Sequence, residues 1–143
     1  MAAVNPNLVF NGDCEEAFNF YQSVFGGEPS NKVRFKDMPM GQPIPESAGD
    51  KIMHVSLPIG DTILMGSDSQ HVFGGPATSV GSNFSISVNA ESEKEADKIF
   101  NGLAAGGKTT MPLGKAPWNA YFGMCTDKFG IEWMVNHFYE QPK

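Results

Sequence analysis

Cysteine is nearly absent from this chain. Cys14 and Cys125 are the only two in 143 residues, far apart and in no metal-type spacing. That excludes a disulfide scaffold and a thiolate zinc site, and both are expected to be reduced thiols in a cytoplasmic protein. Basic residues are also scarce, ten Lys and Arg against sixteen Asp and Glu, for a net charge of −6. Phosphate backbones and anionic lipid surfaces need clustered cations, so nucleic acid and membrane are poor partners. Long hydrophobic runs are missing: no segment reaches bilayer-spanning length, and the N-terminus "MAAVNPNLVF" has no basic region followed by an apolar one.

What is present is a pattern that occurs twice. "NLVF" is a short strand, and "GDCEEAFNFYQSVFGG" follows with Cys14, Ala17, Phe18, Tyr21, Val24 and Phe25 at helical spacing. Asp13 and Glu16 have the form of a capping box, and Gly26-Gly27 supplies the stop. "NKVRF" is the next strand. The Pro- and Gly-rich stretch "KDMPMGQPIPESAGD" is expected to be a long loop. "KIMHVSLPIG" and "DTILMGSD" read as two strands joined at Gly60-Asp61.

After a glycine-containing connector, "NFSISVN" alternates cleanly. Phe84, Ile86 and Val88 point one way, and Asn83, Ser85 and Ser87 the other. A second helix over "ESEKEADKIFNGLAAGG" has Ser92 and Glu95 in capping-box form, and Ala96, Ile99, Phe100 and Leu103 on its apolar face. "KTTMPL", "AYFGMCT" and "IEWMVNHF" complete the strands. Each half is thus β-α-β-β-β, which predicts an α+β fold of two paired βαβββ modules, at about 7–68 and 83–138 of a single domain, joined by a connector at about 69–82. Each sheet should curl with its helix on the outer face, and two inner faces of this kind can enclose a cleft.

"FNGDCEEAFNFYQSVFGG", "KIMHVSLPIGDTILMGSD", "NFSISVNAESEKEADKIFNGLAAGGK" and "WNAYFGMCTDKFGIEWMVN" resemble the PhnB-like branch of the vicinal oxygen chelate superfamily, over nearly the whole chain. That superfamily includes glyoxalase I, bleomycin resistance proteins and extradiol dioxygenases. The resemblance implies a homodimer, and in metal-using members a divalent ion held by His or Glu from four strands. Carried over residue by residue, the fourth ligand position falls on Glu132. The others fall on Asn83, near Met65, and near Pro6 or Asn7. One strong ligand of four remains, so a site for Mn, Fe, Ni or Zn would rest on Glu132 with amides beside it. The branch is also described as resembling a demethylubiquinone methyltransferase. No G-x-G type strand-to-helix loop exists here to hold a nucleotide-like methyl donor.

Within "IEWMVN", alternation puts Glu132, Met134 and Asn136 on one face. A carboxylate among apolar neighbours is a candidate base, ligand or substrate contact, and His54 is a candidate acid–base partner. Asn83, Ser85, Ser87, Met65, Met134, Trp118, Tyr121 and Phe122 are candidate ligand contacts. His71 and His137 read as surface residues. Residues 38–49 and 71–81 are candidate lids or interface arms. Two functions follow: a small-molecule binding protein with a degraded metal site, or a divalent-metal lyase, isomerase or dioxygenase.

Overall fold

The computed structural model describes residues 2–37 and 44–139. The chain divides into two compact units, Met1–Ser79 and Val80–Lys143, so the boundary falls inside the connector. The first unit contains strands β1 (Asn7–Phe10), β2 (Ser30–Arg34), β3 (Ile52–Ile59) and β4 (Thr62–Asp68), with helices α1 (Cys14–Phe25) and α2 (Glu46–Gly49). The second contains β5 (Ile86–Asn89), α3 (Glu93–Ala104), β6 (Lys108–Ala116), β7 (Ala120–Thr126) and β8 (Glu132–Phe138). The sheet orders are β1-β4-β3-β2 and β5-β8-β7-β6, the same order one module apart. In each sheet the first strand lies parallel to the last, and the remaining pairs are antiparallel. The expected α+β fold of two βαβββ modules is what the chain adopts.

In the first unit α1 buries Cys14, Ala17, Phe18 and Tyr21 against β3 and β4. Val24 and Phe25, expected on the same face, are only half-buried. Gly66 makes the close approach possible. A Cβ there would lie 2.8 Å from Phe18 Cζ and 3.2 Å from Cys14 Sγ. The helix ends at Gly26 and Gly27, whose φ values of 80° and 81° suit glycine. Its start differs from the expected capping box. The Asp13 side chain makes no cap hydrogen bond. Asp68, at the end of β4, caps instead: its Oδ1 accepts from Gly12 N (2.9 Å) and Cys14 N (3.0 Å), and its Oδ2 from Ile52 N (2.9 Å).

The expected long loop before β3 holds a helical turn, α2. Pro45 enters it at φ −57°, and its carbonyl accepts from Ala48 N and Gly49 N. The remainder of that loop, residues 38–43, lies outside the described residues. A 3-10 turn, Gln70–Phe73, opens the connector.

In the second unit α3 buries Ala96, Ile99, Phe100 and Leu103 over β6, β7 and β8. Its capping box forms: Ser92 Oγ accepts from Glu95 N, and the Glu95 carboxylate accepts from Glu91 N. Two strands differ in extent from the sequence reading. β6 runs on to Ala116 as an edge strand with irregular register, a setting that tolerates Pro112. β5 begins only at Ile86, not Asn83. Ile86 pairs with Trp133, so its partner strand starts at Glu132 and residues before Ser85 run past that start.

Candidate functional site

The start of β8 is fixed by a buried carboxylate. Residues 127–130 form the turn read from the sequence, closed by Gly130 N donating to Asp127 O at 3.0 Å, with Gly130 at φ 91°. Asp127 Oδ1 accepts from Phe129 N and Ile131 N, and its Oδ2 from Trp133 Nε1 at 2.8 Å. Trp133 and Val135 are buried on the face that carries α3. By alternation Glu132, Met134 and Asn136 take the opposite, helix-free face.

Register extends that face across the sheet. Glu132 stands opposite Thr126, Met134 opposite Met124, and Asn136 opposite Phe122. On the other side Ser87 stands opposite Met134, and Asn136 Nδ2 donates to Ser87 Oγ at 3.0 Å. Met111 pairs with Met124 from β6. Trp118 caps this row edge-on to Phe122, with ring centroids 5.2 Å apart. Phe122 and Asn136 are buried, Glu132, Met134, Met124 and Thr126 half-buried, and Trp118 is 52% exposed. The face therefore runs from a carboxylate, past thioethers and an amide–hydroxyl pair, to two aromatics.

Of the residues singled out from sequence, Glu132, Met134, Ser87, Phe122 and Trp118 lie on this one face. Ser85 immediately precedes β5, and Asn83 is exposed in the irregular segment before it. Tyr121 turns the other way, since its hydroxyl donates to Asp97 Oδ1 of α3 at 2.6 Å. That acceptor, with its negative charge, pushes the phenol up to about 12. Met124, not among the residues singled out from sequence, faces Met134 here; the parity of β7, with Phe122, Met124 and Thr126 in step, was the available signal.

His54 and Met65 belong to the first unit. His54 Nε2 lies 2.9 Å from the Oγ of buried Ser56, which stands opposite Met65, and Met65 in turn stands opposite Asn7. His71 Nδ1 donates to Gly75 O, and His137 Nδ1 to Ala90 O. Both cysteines are buried free thiols. Burial, with the Asp127 charge, pushes Cys125 up to about 11, and burial with Asp68 pushes Cys14 up further. Among the described residues no three His, Cys, Asp or Glu side chains converge as a metal cluster would require. No helix among them is long and apolar enough to cross a membrane.

Two βαβββ units of the same strand order, each with a helix on one face and a mixed polar and apolar row on the other, define the glyoxalase/bleomycin resistance/dioxygenase fold, which remotely similar solved structures share. Within it the chain matches the family described as 3-demethylubiquinone-9 3-methyltransferase over residues 2–136, and it belongs to that PhnB-like family. It is similar to Protein YjdN of Escherichia coli strain K12, 32% identical over 150 residues that cover 97% of each chain. It is similar to protein PA1353 of Pseudomonas aeruginosa at 41% identity and a TM-score of 0.84, covering 98% of this chain and 100% of that one. The PhnB protein of Bacillus cereus matches at 29% identity and a TM-score of 0.73, over 95% of this chain and 99% of that one.

Proposed function

We propose that this protein binds a small molecule against the helix-free face of its second sheet, without a resident metal. The observation that carries this reading is the row from Glu132 to Trp118. Partly accessible apolar groups are interrupted by a few fixed polar ones, the usual lining of a small-molecule site. The donor set does not fit a divalent ion. Asn7 and Met65 offer an amide and a thioether, and Glu132 faces Thr126 rather than a second carboxylate or an imidazole. The absence of a three-donor cluster among the described residues supports the same view.

The second reading is a divalent-metal lyase, isomerase or dioxygenase. One observation favours it: Glu132 occupies the position that the family resemblance gives to a ligand. Metal analysis of untagged protein separates the two readings. Binding without metal predicts substoichiometric Mn, Fe, Ni and Zn and no thermal shift on adding each ion. A stoichiometric metal overturns it. Methyl transfer, which the family description names, finds less support. Among the described residues each sheet has only one parallel pair, and they form no doubly wound parallel sheet of the kind that carries a nucleotide-type methyl donor.

Cytoplasmic location and a homodimer complete the proposal, the latter supported by the family resemblance. Sedimentation at micromolar concentration tests it, and a monomer there would contradict it.

A further inference from the structure

Resting on the small-molecule reading above, we infer that the ligand is an organic cation: a flat apolar body seated at Trp118 and Phe122, with its positive charge at Glu132. The starting point is the Glu132 carboxylate. It is half-buried, and no described residue forms an ion pair or hydrogen bond with it. Its negative charge is not neutralised by the protein and is presented to whatever lies against this face. A cation is attracted there, an anion is repelled, and a neutral ligand gains nothing from the charge.

The surrounding chemistry selects the same class. The one basic residue in register with this row is Lys108, opposite Thr126 on the far side from Glu132, roughly two strand spacings or about 10 Å away. It is exposed and does not neutralise the carboxylate. Met134 and Met124 line the interval with polarisable thioethers, which adapt to an irregular apolar shape. At the far end Trp118, exposed and backed edge-on at 70° by buried Phe122, offers aromatic surface to a planar group.

Geometry also sets a length. Phe122 stands opposite Asn136, four residues along β8 from Glu132, which at about 3.3 Å per residue places the aromatic end about 13 Å from the carboxylate. The ligand class is therefore an elongated aromatic ammonium rather than a compact one.

The test is a series of naphthyl-alkyl-trimethylammonium compounds whose spacers bracket that distance. Each has an uncharged isostere carrying a tert-butyl group in place of the ammonium. Binding to the full chain is read by isothermal titration calorimetry. The expected result is an optimum at ring-to-charge separations near the register distance, with the cation binding about tenfold tighter than its isostere. Glu132→Gln, with an unchanged circular dichroism spectrum, should abolish that tenfold preference while leaving the isostere's affinity intact. Trp118→Ala should weaken both compounds. If cation and isostere bind equally and Glu132→Gln changes neither, the organic-cation inference is overturned while the small-molecule reading stands. If no member of either series binds, both fall.

Discussion

Asp68→Asn tests the long-range cap. The wild-type carboxylate is 5% exposed and accepts three backbone N–H bonds, from Gly12, Cys14 and Ile52, at 2.9 to 3.0 Å. These tie the end of β4 to the start of α1 and the start of β3. An asparagine amide keeps one acceptor oxygen and turns an NH2 toward the remaining donor. If the oxygen stays with Gly12 and Cys14, the Ile52 N–H faces another donor at a fully buried position. A hydrogen bond to a charged group contributes about 1.5–3 kcal/mol, and an orphaned buried donor costs about 1–3 kcal/mol. Allowing for the two bonds that survive in weaker, neutral form, the loss should be about 3 kcal/mol. For a chain of this size that lowers Tm by roughly 6–12 °C. Urea unfolding monitored by circular dichroism measures it. A loss below about 1 kcal/mol with a native spectrum would show that the helix start does not depend on Asp68. Asp13→Ala should then cost little, since Asp13 makes no cap bond.

Other perturbations follow from the same contacts. Gly66→Ala drives a methyl into Phe18 and Cys14, both closed off from solvent, and should destabilise by about 3 kcal/mol in urea unfolding, toward the upper end of overpacking costs. Cys14 and Cys125 should resist a thiol reagent in the folded protein and react fully once it is unfolded; rapid labelling of either in native protein would contradict their burial. The raised thiols also set a pH dependence. Below about pH 9 they are protonated in both states. As pH rises from the unfolded value near 9 toward the folded value of about 11 for Cys125, the unfolded chain releases the proton first, and stability falls. Cys125→Ser should flatten that decline in melting temperature. Acrylamide should quench Trp118 readily and leave Trp133 shielded, which single-tryptophan variants would resolve.

Much of the fold was legible because its signals are local. Helical spacing from Cys14 to Tyr21 and from Ala96 to Leu103 needs no partner to be read, and both helices bury those positions. The glycine-marked turns and the repeated βαβββ order were equally plain. Errors arose where two segments distant in sequence had to agree. The α1 cap looked like Asp13, but Asp68 arrives from 54 residues away to bond Cys14 N. The alternation of "NFSISVN" was real, yet its strand could be no longer than the register with β8 allowed.

The same division governs the site. Alternation alone put Glu132, Met134 and Asn136 on one face, because strand periodicity is a property of the backbone. It could not say which residues of other strands share that face; it sets Phe122 and Tyr121 on opposite sides of their own strand but does not say which of them joins Glu132, and Tyr121 is claimed on the other side by Asp97. The sequence by itself determined the elements, their doubled order and the parity of each strand. Tertiary structure decided the pairing register, and through it which side chains stand together. Register depends on contacts between segments far apart in the chain, and no local pattern records those.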